Sequence, residues 1–397
     1  MDERNRVAWI YLLGFALDLV NMFAANVAMP RIGQDLAASV GQLSWVSGIY
    51  TLGLTVVIPA GPRLAAWLGE KPLIGVALAG FAAMSALAGA THDIHALIGW
   101  RFGQGLFGGL LIPVGQAWAY RLTPASERSA LTTRVMFVAL LIPALSPMLG
   151  GALVDAVSWR WLYLANVPLA LIVLALAVVW LPKGGHPAGS AAFLPAIPSL
   201  LRLRALHTAM LVYLLVPGVF VGVNLIAALH LTTLGYSPAA IGALMLPWAA
   251  ASAVAIMTTR RGFGRFGARP LLFVGMVAQA LGILALGKIV GPGDAWAPCA
   301  FVLMGLGGSL CSSTAQTLAF TGVPDARMGQ ASALWNMNRQ LAFCLGPVAM
   351  GAAWQAFGGS NAPYTTLGLA ALLTLLPTTV ALRLSRRHTF PLEETSA

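Results

Sequence analysis

The sequence predicts an all-α membrane protein of twelve transmembrane helices, arranged as two six-helix bundles with the N and C termini cytoplasmic. Three observations carry this expectation. The chain has 397 residues, of which 58% are hydrophobic and only 9% charged, whereas about 25% of a soluble domain is charged. Its long apolar runs fall into two sets of six on either side of a Pro-, Gly- and Ser-rich break. Its Lys and Arg residues collect on one side when those runs are threaded through a bilayer.

A bilayer core about 30 Å thick takes about 20 residues of helix. The first run, 7–29, follows Arg4 and Arg6. It is longer than the apolar region of a signal peptide and lacks a cleavage site, so it reads as the first span. Runs at 43–62, 72–90, 96–119, 130–154 and 160–181 complete the first half. The break PKGGHPAGSAAFLPAIPSLLRLR follows, and then come runs at 206–230, 238–259, 270–290, 295–320, 328–356 and 363–384. The implied organisation is an N-terminal bundle over 1–181, a cytoplasmic linker over 182–205, a C-terminal bundle over 206–384 and a tail over 385–397. Two such repeats put a binding site between them near mid-membrane.

Orientation follows from the basic residues. With the N-terminus inside, eighteen of the 23 Lys and Arg residues fall on cytoplasmic segments, and only Arg31, Arg160 and Lys288 fall on the other side. The net charge of +11 is therefore a topology signal spread along the chain, and it gives no support to nucleic-acid binding. The other two, Arg101 and Arg339, lie within spans. Among the 12 acidic residues only Asp18 lies deep in a span, while Asp155 falls at the outer end of the fifth. Intramembrane charges are costly and usually face a cavity or a partner, so Asp18, Arg101 and Arg339 are the leading functional candidates.

Other chemistry is sparse. Cys299, Cys311 and Cys344 lie in apolar runs without CxxC spacing and read as buried small hydrophobes. The six His residues show no metal spacing, fall mostly at span ends and read as solvated. No HExxH, paired intramembrane acids or Ser–His arrangement suggests an enzyme, and no stretch is long enough for a large receptor domain. With no phosphate loop present, no cofactor is expected, and a proton gradient is the expected energy source.

In the fourth span, LIGWRFGQGLFGG (97–109) places Arg101, Gln104 and Gly108 on one helix face, with glycines that allow close helix approach. Arg101 bonded to backbone carbonyls is one alternative for it. The run also resembles the R-x-x-Q-G motif of fourth helices in the major facilitator superfamily, where the Arg is tied to proton coupling. In the fifth span, LLIPALSPMLGGALVD (140–155) contains Pro143 and Pro147, which remove backbone donors and favour kinking, followed by Gly150 and Gly151. This resembles the G-P-x-x-G-G antiporter motif of exporters, with Ser146 at the first Gly. SWRWLYLANVPLAL (158–171), YSPAAIGALMLP (236–247), RFGARPLL (265–272) and GQASALWNMNRQLAFCLG (329–346) resemble, in order, segments of the 14-span drug:proton antiporter family. The resemblance covers nearly the whole chain and implies the major facilitator fold.

Three departures qualify it. Only the 182–205 linker stands where that family has two extra helices, so twelve spans are expected. The loop after span two, PRLAAWLGEK (62–71), has Ala66 where the family has an Asp of a cytoplasmic charge clamp, leaving open whether Arg63, Glu70 and Lys71 replace it. In the first span NVAMP (26–30) aligns with the family's pattern, but the family's Asp then falls on Asn21. Asp18 lies one turn nearer the cytoplasm, about 4.5 Å along the axis and on the same face.

Burial disfavours a carboxylate's charged form and a nearby cation favours it. Asp18 reads as a proton site if Arg101, about 9 Å away along the axis, approaches and retreats. It reads otherwise as a structural partner or a substrate contact. Arg339 has three open partners: Asp18 across the cavity, backbone carbonyls, or an anionic substrate. Asn21, Gln104, Gln116, Asn224, Trp335 and Asn336 are candidate cavity residues alongside it. The expected function is proton-coupled export of small organic molecules or drugs across a bacterial inner membrane by a monomer. The alternative is a dedicated exporter of one metabolite, such as a siderophore or other carboxylate-bearing natural product.

Overall fold

The computed structural model describes residues 2–124, 127–182, 200–321, 323, 327–359 and 361–381. Most of the expected linker and the whole 385–397 tail, with Lys183, Arg383, Arg386 and Arg387, lie outside them. The described chain is helical, with α1 Glu3–Asp35, α2 Val40–Val57, α3 Gly61–Leu68, α4 Glu70–Ala90, α5 Ile94–Leu122, α6 Arg128–Ala156, α7 Arg160–Leu164 and α8 Asn166–Trp180 in the first half. The second half contains α9 Arg204–Leu215, α10 Pro217–Thr233, α11 Pro238–Ala243, α12 Met245–Phe266, α13 Ala268–Leu286, α14 Trp296–Phe320, α15 Met328–Phe357, α16 Ala362–Leu375 and α17 Thr378–Ala381. Ten segments are long and apolar enough to cross a membrane. The other two long helices, α5 and α15, carry Arg101 and Arg339 and complete twelve crossings among the described residues.

Local chemistry sets the helix ends. Ser39 and Gln42 form a reciprocal capping box at the start of α2. Asp93 accepts from the Ala96 amide, and Ser237 from the Ala240 amide. Gly69 and Gly267 turn α3 into α4 and α12 into α13 at φ 86° and 76°, a region that favours glycine. Pro217 interrupts the seventh crossing after Val216, because its ring nitrogen cannot donate to the preceding turn. By contrast, α6 continues through both Pro143 and Pro147.

Each half has its own apolar core. The two halves meet in the part of the bundle away from the N-terminus, called here the far part. Val27 of α1 joins the core of the second half, and Leu225 of α10 joins that of the first. There α2 packs on α15, with Ser44 against Gly351 and Gly48 against the Cys344 carbonyl. Likewise α6 packs on α11, where Gly151 lies on the Pro238 carbonyl and Gly242 on the Pro147 carbonyl. A Cβ at either glycine would overlap the opposite backbone, so the two helices cross backbone to backbone. The structure thus gives Gly151 and Pro147 a role at the junction of the halves, while Gly150 faces Ala24 of α1.

Candidate functional site

The site in the first half begins with a close helix contact. A Cβ at Gly105 would fall on the Tyr50 carbonyl oxygen, and one at Gly53 would crowd the Phe102 carbonyl, so α2 and α5 touch through their backbones. That contact brings the Tyr50 side chain over α1, where its hydroxyl donates to Asp18 Oδ1. Gly108 provides space for the carboxylate, since a Cβ there would lie 3.5 Å from Asp18 Oδ1. Asp18 and Tyr50 are both buried, at 4% and 0% exposure.

Arg101 is close by but does not pair with Asp18. Its guanidinium lies 4.5 Å above the Tyr50 ring and 5.7 Å from the Tyr163 ring, so Tyr50 stands between cation and carboxylate. Arg101 Nε donates to the Val46 carbonyl at 3.3 Å, and Nη1 to Gln104 Oε1 at 3.1 Å. Gln104 in turn donates to Ser85 Oγ at 2.8 Å, and Ser85 to the Phe81 carbonyl at 2.7 Å. A buried arginine needs such a shell, because an unsatisfied charge in a low-dielectric interior is costly. The carbonyl reading of Arg101 is therefore part of the answer, with Gln104 supplying the rest.

This wiring corrects two expectations. Gln104 is fully buried and committed to Arg101 and Ser85, so it positions the arginine and does not line a cavity. Asn21 is also buried, with Oδ1 accepting from Asn166 Nδ2 at 3.3 Å. It does share a face with Asp18, as the one-turn spacing implies. Between the halves a narrow, mainly apolar cleft is lined by Phe23, Asn26, Asn224, Met245 and Phe301, with Pro147 at its edge. Asn224 thus reaches the interface, bonded to the Phe220 carbonyl, and Asn26 accepts from Ser47.

In the second half, Trp335 is 3% exposed and packs edge-on against Tyr213 and Phe320, which makes it a core residue rather than a cavity wall. Asn336 donates to the Ser332 carbonyl of its own helix. Gln116 is exposed on α5 and has no hydrogen bond among the described residues. Arg339 is half-buried and forms no hydrogen bond or ion pair among the described residues. Ser146 is buried in α6 and its hydroxyl has no partner among the described residues.

Other expectations resolve as follows. Glu70 is buried and pairs with Arg121 at 2.6 Å, and Lys71 caps the end of α8 through the Val178 and Leu181 carbonyls. The clamp in this loop therefore ties elements of the first half to one another. Asp155 Oδ2 accepts from the Ala239 amide at 2.9 Å, tying α6 to α11. His230 is buried against Tyr364 and is not solvated, because α16 folds over the end of α10. Cys311 and Cys344 are buried as expected, but Cys299 is exposed.

Tyr50 and Ser85 are the residues that sequence reasoning missed. Neither belongs to a charged or motif position. The available signal was the glycine spacing around Gly105, which implies a close neighbour without naming it.

A sequence model of the Major Facilitator Superfamily matches residues 11–347. The "Probable actinorhodin transporter" of Streptomyces coelicolor is 28% identical over an alignment covering 87% of this chain and 72% of that protein. A Cronobacter sakazakii protein provisionally named multidrug resistance protein MdtD is 26% identical, covering 88% and 86%. Among solved structures, a mutant of the nucleoside transporter NupG superposes with a TM-score of 0.78 at 12% identity over 96% of this chain and 99% of that one. The inward open xylose transporter XylE of E. coli gives 0.73 at 15% identity over 96% of each. At these identities the structural likeness concerns the fold.

Proposed function

The chain belongs to the Major Facilitator Superfamily and is a multi-pass membrane transporter rather than an enzyme. On that premise we propose that it exchanges protons for small organic molecules, exporting them across a bacterial inner membrane as a monomer with both termini in the cytoplasm. The carrying observation is the Asp18–Tyr50 pair beneath Arg101, which places the one deep carboxylate of the spans beside a cation held by its own shell. Such a carboxylate can change charge without dismantling the arginine's bonds, because Arg101 does not depend on it. The halves meet in the far part of the bundle, which this orientation makes the outer side. Alternating access would then separate α6 from α11 and α2 from α15 as the halves rock.

A second reading, export of one natural product, is favoured by the actinorhodin transporter among the relatives. In either reading Asp18→Asn removes the exchange. In proteoliposomes loaded with a fluorescent substrate and given an imposed pH gradient, the variant is expected to transport at background while folding normally. Gradient-driven transport by Asp18→Asn at the wild-type rate would sink the proposal.

A further inference from the structure

We propose that the cleft between the halves takes an uncharged, planar molecule that offers a carbonyl to Asn26 at one end and an N–H or O–H to Asn224 at the other. This rests on the transporter reading and deepens it by naming the substrate's chemistry.

The cleft draws on both halves. Phe23 and Asn26 come from α1, Asn224 from α10, Ile241 from α11, Met245 from α12 and Phe301 from α14. The rest of its lining is valine, proline and alanine, so no lining residue is ionisable. The empty space amounts to about 380 Å³, part of it open to solvent. A charge brought between such walls gives up its water and meets no counter-charge in return. The lining therefore selects against ions of either sign.

The two amides define the ends of the occupant. They stand on the first crossing of each half, and both are half-buried, whereas Met245 and Phe301 are buried. Each amide spends one of its two groups locally. Asn224 Nδ2 donates to the Phe220 carbonyl at 3.2 Å, an acceptor that fixes the orientation of the amide. Its Oδ1 has no partner among the described residues, which leaves an acceptor on the second half. Asn26 Oδ1 accepts from Ser47 Oγ at 2.9 Å, and its Nδ2 has no partner among the described residues, which leaves a donor on the first half. A half-buried polar group gains most from a ligand that completes its hydrogen bonds. The complement of this pair is one acceptor and one donor on a single uncharged body.

The walls define that body. Phe23 and Phe301 present rings from opposite halves, and aromatic surface favours planar rings. Met245 adds a polarisable side chain that adapts to a ring edge. Pro147 belongs both to the cleft and to the backbone crossing of α6 with α11, so the occupant lies directly against the contact that parts when the halves rock.

One fluorescent ring system carries the test. The methyl ester of 7-amino-4-methylcoumarin-3-acetic acid is uncharged, with its lactone carbonyl and its amino group at opposite ends. The free acid adds a negative charge, and the 3-(trimethylammonio)methyl analogue adds a positive one. The 7-dimethylamino ester keeps the carbonyl but has no N–H. Binding to the full-length protein in nanodiscs is measured by equilibrium dialysis at neutral pH without a gradient, with empty nanodiscs subtracted. The amino ester is expected to bind at least about tenfold tighter than either charged analogue. It should bind about fivefold tighter than the dimethylamino ester, the worth of one hydrogen bond. Asn224→Leu should weaken the amino ester by about fivefold and leave the dimethylamino ester unchanged, whereas Asn26→Leu should weaken both. A charged analogue that binds as tightly as the amino ester, no saturable binding of that ester, or undiminished binding of it by either folded variant would each overturn the proposal. If a variant does not fold, the ranking of the four compounds on the unaltered protein decides. Because no gradient is applied, a protein that ranks them as expected but fails to couple transport to protons would refute the exchange reading and leave this one standing.

Discussion

The two halves use the same helix crossing for different purposes. Gly105 lies on the Tyr50 carbonyl where α5 meets α2, and Gly305 lies on the Trp248 carbonyl where α14 meets α12. Four residues before each glycine stand Arg101 and Phe301, and one residue before stand Gln104 and Met304. Asp18 precedes Asn26 by the same interval as Val216 precedes Asn224, and both asparagines reach the cleft. So where the first half has an acid, a phenol, a cation and an amide, the second has valine, tryptophan, phenylalanine and methionine. The glycine crossing is a scaffold device, and at this crossing the ionisable side chains belong to the first half alone. The second half keeps a single deep charge, Arg339, and leaves it unsatisfied by its own described residues.

Making the second half resemble the first gives the largest effect. Phe301→Arg would bury a cation among Met304, Phe220 and Trp248 with no counterpart of Gln104, at a cost of about 3 kcal/mol or more. The expected result is loss of a monodisperse peak in size-exclusion chromatography. A stable, folded Phe301→Arg protein would show that the second half can host the same wiring, and the contrast would fail.

The reverse change is next in size. Arg101→Met leaves the buried Gln104 side-chain oxygen unpaired, costing about 1–3 kcal/mol. It should lower the melting temperature markedly and reduce gradient-driven transport to background. Phe301→Leu should cost only about 1 kcal/mol and keep transport well above background. Similar transport losses in the two variants would contradict the assignment of coupling to the first half.

The glycines separate scaffold from chemistry. Gly105→Ala and Gly305→Ala should each cost about 1–3 kcal/mol, since each Cβ displaces a facing backbone. Only Gly105→Ala should also abolish transport, because moving α2 takes Tyr50 from Asp18. Matched melting curves with unequal transport would sharpen the comparison, whereas equal transport would weaken it. The smallest change is Tyr50→Phe, which removes one hydroxyl from a buried acid. It should cost about 1–2 kcal/mol and slow transport by about tenfold, leaving the Arg101 contacts in place. Wild-type transport by Tyr50→Phe would mean that Asp18 works without its partner.

Much of this was legible in the chain. The twelve crossings follow from apolar run length, and the Asp18, Arg101 and Arg339 positions stand out because charge is rare in such runs. The prolines and glycines of the fifth span marked a special helix, although the partner that Gly151 meets, the Pro238 carbonyl, could not be read from α6 alone. Polarity and size alone point to Gln104 and Trp335 as cavity residues. The structure buries both, because one serves Arg101 and the other fills the core beside Tyr213.

The sequence by itself determined how many helices cross, where they end and which residues carry charge at depth. Those properties depend on local hydropathy, capping and the cost of placing an ion in hydrocarbon, each settled within one segment. Only the tertiary structure decided that Tyr50 holds Asp18, that Gln104 and Ser85 hold Arg101, and that Arg339 is left unpaired among the described residues. Those outcomes depend on how far each helix is rotated toward its neighbours. That rotation is fixed by backbone contacts at glycines such as Gly105 and Gly151, between segments far apart in the chain.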